Sequence, residues 1–109
     1  MCTKSQLEAI EEEMVNYYRS VYGDSIDTII LYGSYARGDY SDDSDIDITA
    51  IVRGNRVELQ KKLKKMWDFS TEVGLAYDVI VSPTVIPYEQ YKEKLPYYRN
   101  IVKEGRKIG

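Results

Sequence analysis

The chain has 109 residues, a net charge of −3, one cysteine and no histidine. That length suits a single domain over residues 1–109 with one modest core, and leaves no room for a separate substrate domain. The absence of histidine excludes Ser-His-Asp and Cys-His nucleophiles, His-ligated zinc and imidazole acid-base catalysis; the remaining carboxylates, lysines and hydroxyls suit a hard, oxygen-liganded cation.

No apolar run approaches the roughly 20 residues of a membrane span. The N-terminal stretch MCTKSQLEAIEEE lacks the apolar core of a secretory signal, and Cys2, without a partner in the chain, is expected to be a bystander. A cytoplasmic location is the expectation. The negative net charge offers no general attraction for nucleic acid, which leaves such contact open but not favoured.

In chain order, Ser5-Gln6-Leu7-Glu8 has the form of a capping box, and Leu7, Ile10, Met14, Tyr17 or Tyr18 and Val21 recur at helical spacing up to Gly23. This predicts an amphipathic helix over residues 5–22. Asp27 to Tyr32 is a short β-branched and apolar run ending at a glycine, the pattern of a buried strand. Ile46, Ile48, Ala50 and Val52 alternate with Asp45, Asp47, Thr49 and Ile51, predicting a second strand with one face in the core and carboxylates opening the other.

From Arg56 to Val73, Leu59, Leu63, Met66, Trp67 and Val73 are expected to line one side of a helix. Lys61, Lys62, Lys64 and Lys65 read as its solvated face. Tyr77 to Val81 reads as a third strand, ended by Ser82-Pro83, with Asp78 in its middle. Two short helices follow, the second opened by Pro96 and closed by Gly105. The order helix, strand, strand, helix, strand, helices implies an α/β (α+β) domain, a small sheet of three or more strands flanked by helices. Tyr17, Tyr18, Tyr88, Tyr91, Tyr97 and Tyr98 fall where helix faces would meet the core or its rim, which makes packing their expected role.

The stretch LYGSYARGDYSDDSDIDI carries four aspartates within six residues, Asp42, Asp43, Asp45 and Asp47. Like charges so close repel unless water or a cation screens them. An EF-hand loop started at Asp43 fails, because Ile48 stands in place of the glycine and Gly54 in place of the glutamate. A P-loop from Gly33 to Gly38 fails too, since Asp39 and Tyr40 occupy the lysine and serine positions. Arg37-Gly38-Asp39 is a coincidental adhesion tripeptide in a chain without an export signal. The plain alternative is a turn followed by acids that merely face water.

The surroundings favour chemistry. On a strand, Asp45 and Asp47 point to one side with α-carbons about 6.6 Å apart, so they can converge on one cation or bridge two. Gly33 allows close backbone approach, and free amides with the Ser34 hydroxyl can receive phosphate oxygens. Asp78 could supply a third carboxylate. A phosphate nest opposite metal-binding acids is apparatus for phosphoryl or nucleotidyl transfer.

Gly33-Ser34, ten intervening residues, then Asp45-Ile46-Asp47 resembles the Gly-Ser-x10-Asp-x-Asp pattern of the DNA polymerase beta-like nucleotidyltransferase superfamily. With Tyr35-Ala36-Arg37-Gly38, the later Asp78 and the short length, the chain is most similar to the minimal nucleotidyltransferases, the MNT proteins. The resemblance implies that fold, with a mixed sheet. It also implies phosphate binding by Gly33 and Ser34, with Arg37 steadying phosphate or bracing the loop. Asp45, Asp47 and Asp78 would be metal-binding and catalytic, with two Mg2+ ions and ATP or another nucleoside triphosphate as donor.

The implied function is transfer of AMP to a hydroxyl, foremost a tyrosine of a partner HEPN toxin, by an antitoxin that relies on another chain for its acceptor site. Steric neutralisation without catalysis, or transfer to a small molecule or RNA end, are the alternatives. Neither base preference nor self-association into a homo-oligomer is legible in the residues.

Overall fold

A computed structural model describes residues 3–41, 43–93 and 96–109, without the side chains of Tyr97, Asn100 and Val102. The expectations for Cys2, Asp42 and the Tyr97 ring lie outside the described residues. Helix α1 spans Lys4–Tyr22, and its N-cap is Thr3 rather than Ser5: the Thr3 hydroxyl accepts from the Gln6 amide while the Gln6 side chain accepts from the Thr3 amide. A short 3-10 turn, Gly23–Ser25, leads into strand β1, Ile26–Tyr32. A one-turn helix α2, Ser34–Arg37, strand β2, Ile46–Val52, and helix α3, Arg56–Tyr77, follow. Strand β3 is Val81–Pro87, helix α4 Tyr88–Lys92, helix α5 Arg99–Glu104 and strand β4 Arg106–Lys107.

The four strands form one mixed sheet in the order β3-β2-β1-β4, with β1 antiparallel to β2 and β4, and β2 parallel to β3. Strand alternation divides its residues between two faces. Ile29, Leu31, Ile46, Ile48, Ala50 and Val52 pack with Ile10, Met14 and Tyr18 of α1 and Met66 and Val73 of α3. Ile30, Ile51 and Ile86 meet Tyr98, Tyr88, Tyr91 and Ile101 on the other face. Asp47 and Thr49 share the alternation of Ile51, so Asp47 opens this second face. The expected packing role of the tyrosines holds for Tyr17, Tyr18, Tyr88, Tyr91 and Tyr98.

Three polar contacts tie the layers together. The fully buried Tyr18 hydroxyl lies 2.8 Å from the carbonyl of Thr84 and 3.2 Å from that of Ile48, which pins α1 to two adjacent strands. Tyr22 donates to the carbonyl of Leu59 at 2.9 Å, joining α1 to α3. Burial pushes both phenols up, Tyr22 to about 12. Arg106 on β4 meets Glu11 of α1 at 2.5 Å, and Glu11 is almost wholly buried. Such a pair holds an edge strand in place because the Glu11 carboxylate, without Arg106, would be left buried and unpaired.

Two further sequence expectations need correction. Trp67 does not lie on the buried side of α3: it is 44% exposed, while Leu59, Met66, Ser70 and Val73 face inward at spacings of three, four and seven. The third strand is not Tyr77–Val81. Helix α3 continues through Tyr77, and Asp78 caps it in the left-handed conformation, φ 56° and ψ 48°. Gly74 permits this ending, because a β-carbon there would lie 2.5 Å from the carbonyl oxygen of Val79. The strand then runs through Pro83 to Pro87, which an edge strand tolerates since one row of its backbone needs no partner. Among the described residues, no helix is long and apolar enough to cross a membrane.

Candidate active site

Strand β1 delivers the chain to Gly33, whose φ of 77° and ψ of −158° belong to a region open essentially to glycine alone. The Gly33 carbonyl accepts from the amides of Ala36 and Arg37, each at 3.1 Å, and so closes the single turn of α2. Gly33 also lies hard against the acidic pair. A β-carbon on it would sit 2.5 Å from Oδ2 of Asp47. The loop that offers backbone amides and the Ser34 hydroxyl thus touches the strand that offers carboxylates, as the motif spacing led us to expect.

Asp47 is half-buried, and burial is the largest reason its carboxyl is raised from the ordinary value. The charge of Asp45 raises it further and that of Arg37 opposes the rise. Across β1, its partner is Tyr32, whose phenol lies 3.4 Å from the hydroxyl of Thr84 on β3. Burial pushes the Tyr32 phenol up, Thr84 partly offsets this, and the Asp47 charge adds to the rise. Tyr32 therefore remains a neutral hydrogen-bonding group beside the acids.

Arg37 braces the loop: it contacts Asp39 at 3.2 Å and reaches Glu104 of α5 at 3.1 Å. Both pairs are solvent-exposed and weak as stabilisers, but they hold the guanidinium on the site's rim.

Asp45 immediately precedes β2 and lines a cleft of about 630 Å³ between the loop before β2, the last turns of α3 and the entry to β3. Asp43 and Asp78 line the same cleft. Asp78 therefore shares a wall with Asp45 without being the mid-strand neighbour the sequence suggested. The β2–β3 register places Ser82 beside Asp47. Among the described residues no three acids, cysteines or histidines gather closely enough to hold a metal ion. Asp45 and Asp47 are a pair that could hold a divalent cation: both are oxygen donors, one just before β2 and one within it, and their mutual repulsion is what a cation would relieve.

Ser82, Tyr32 and the exposed Trp67 were not singled out for the site from sequence. The first two become visible only through strand register, which side-chain alternation in a single strand does not reveal.

Comparisons with known proteins bear on the family and the fold. The model of the nucleotidyltransferase domain family matches residues 8–108. A candidate protein adenylyltransferase from Methanocaldococcus jannaschii is 38% identical over 97 residues, covering 87% of this chain and 90% of the relative. A candidate nucleotidyltransferase from Sulfolobus solfataricus, known from its crystal structure, superposes with a TM-score of 0.58 at 22% identity, over 95% of this chain and 82% of that one. The fold also matches a complex of tri-AMPylated Shewanella oneidensis HEPN toxin with MNT antitoxin, with a TM-score of 0.54 at 16% identity, over 93% of this chain and 70% of that one.

Proposed function

Because the chain belongs to the nucleotidyltransferase domain family, we propose that it transfers AMP from ATP to a tyrosine hydroxyl of a HEPN-type toxin and acts as an antitoxin. The adenylyltransferase relative supports the transferred group, and the toxin–antitoxin fold neighbour supports the acceptor. The observation that carries the reading is the contact between Gly33 and Asp47, which sets the Gly33–Ser34 loop directly against the Asp47 carboxylate.

In this reading Gly33 and Ser34 hold the donor's phosphates, and Arg37, on the rim, steadies their charge. Asp45 and Asp47 would hold Mg2+, two ions in the reading that the motif implies; when bound, they supply charge neutralisation at the attacking and leaving oxygens. Asp78, which lines the same cleft as Asp45, would orient the incoming hydroxyl. The tyrosine oxygen forms a bond to the α-phosphorus as the bond to the bridging oxygen breaks. Pyrophosphate departs with that electron pair, and the phenolic proton passes to solvent by way of the cleft carboxylates.

The test is incubation with ATP labelled at the α-phosphate, Mg2+ and a HEPN toxin from the same genome. Label should appear on a toxin tyrosine. Asp45→Asn should abolish it while the circular dichroism melt stays cooperative. Label surviving in that variant would defeat the assignment, and full toxin neutralisation by it would favour a steric antitoxin.

A further inference from the structure

A second cavity, of about 680 Å³, opens at the other end of the sheet. Asp27, near the start of β1, and Tyr88, just after β3, line it where Ile26, Val52 and Pro87 pair across the strands. Asp47 pairs with Tyr32 and Ser82 at the opposite end of β2. From Asp47 to Val52 the strand rises about 17 Å. No described residue lines both this cavity and the cleft of Asp45.

The two differ in charge. The cleft presents Asp43, Asp45 and Asp78 and no cation among the described residues, whereas here Lys92, Arg99 and Lys103 stand against a single acid, Asp27. Asp27 is already matched by Arg53 at 2.8 Å, and Lys92 reaches Glu89 at 3.2 Å. Arg99 and Lys103, both exposed, pair with no acid among the described residues. Glu93, exposed at the end of α4, does not line the cavity. A chain of net charge −3 thus keeps two uncompensated cations at one hollow.

The cavity also sorts its chemistry by wall. Tyr88 and Tyr91, three apart on α4, share one helix face, and Arg99 and Lys103, four apart on α5, share another. The guanidinium carbon of Arg53 lies 4.7 Å from the centre of the Tyr88 ring and steadies it. Tyr98, a third lining ring, is buried and its hydroxyl lies 3.2 Å from Oε1 of Gln90. Ring surface on one wall and unpaired cations on the other suit a two-ended ligand, flat and aromatic at one end and anionic at the other. An inorganic anion would leave the tyrosines bare, and a neutral ring would leave the cations unmatched.

We propose that this cavity binds a nucleotide without a metal ion, its base against Tyr88 and Tyr91 and its phosphate on Arg99 and Lys103. The site is separate from the transfer chemistry and does not rest on it. A free mononucleotide and the phosphorylated end of an RNA strand offer the same two groups.

The test is calorimetric titration of the full chain in chelating buffer with AMP, with a 5′-phosphorylated oligoribonucleotide and with inorganic phosphate. AMP should bind, and phosphate should bind far more weakly. AMP affinity should fall by about 10-fold or more in Arg99→Glu and in Lys103→Glu, and several-fold in Tyr91→Ala. It should stay unchanged in Ser34→Ala, in the catalytic loop, and in Lys64→Glu, on α3. Thermal melts separate loss of the site from loss of the fold, and Arg99 and Lys103 are surface positions whose reversal the fold tolerates. Tighter binding of the oligoribonucleotide than of AMP assigns the site to an RNA end; equal or weaker binding assigns it to the free nucleotide. No AMP binding in the parent would overturn the proposal, as would AMP affinity that both charge reversals leave intact or that Ser34→Ala removes. Phosphate binding as tight as AMP would overturn it too, since the tyrosines would then contribute nothing. Because no metal or toxin is present, failure of the transfer assay would leave this result standing.

Discussion

Gly33 and Asp47, fourteen residues apart in the chain, meet so closely that a methyl group on the first would stand 2.5 Å from a carboxylate oxygen of the second. The contact joins the loop after β1 to the carboxylate strand, and it depends on a backbone conformation that side chains resist.

Gly33→Ala should therefore damage both stability and activity. Backbone strain of about 1–3 kcal/mol is expected, and displacement of the Asp47 carboxylate should reduce transfer by about 100-fold. Thermal melts with labelled-ATP transfer would check this. Parent-like transfer in the variant would show that the close approach is incidental.

Asp47→Asn should raise the melting temperature in metal-free buffer at neutral pH while lowering transfer by about 100-fold or more. The folded state raises the Asp47 carboxyl above its unfolded value, through burial and the charge of Asp45. The folded state therefore binds that proton more tightly, and stability falls as pH rises through the carboxylate range. The variant's advantage should vanish once the pH drops below the unfolded value. Mg2+ should stabilise the parent but not the variant, and chelation should remove both that gain and the activity.

Thr49→Val should stabilise the fold by about 1 kcal/mol. The Thr49 hydroxyl is fully buried and has no hydrogen-bond partner among the described residues, so an isosteric methyl removes a desolvation cost. Urea denaturation measures the change, and a loss of stability would reveal a partner for the hydroxyl.

Arg106→Ala should cost about 2 kcal/mol, below the value for a fully buried pair because Arg106 is half exposed. Glu11, at 10% side-chain exposure, would be left charged and unpaired. Replacing Glu11 with Gln in the same chain should recover part of the loss, as read by a double-mutant cycle.

Much of this molecule is written locally. The alternation Ile46, Ile48, Ala50, Val52 made β2 and the face of Asp47 readable, because period two is a property of any strand. The helical recurrence of Ile10, Met14 and Tyr18, and the Gly33-Ser34 to Asp45-Ile46-Asp47 spacing, were legible for the same reason: each rests on neighbours in sequence.

Tertiary structure decided the rest. The run Tyr77 to Val81 has strand-like composition, yet packing of Val73 and the close fold-back over Gly74 extend the helix and leave Asp78 as its left-handed cap. Which residue stands beside Asp47 was settled by the parallel register of β2 and β3, and the answer is Ser82. Register and the choice of exposed face are set by contacts between distant segments, whose free energy no local pattern carries. The residues suggested the chemistry; the pairing of strands decided which side chains stand beside Asp47.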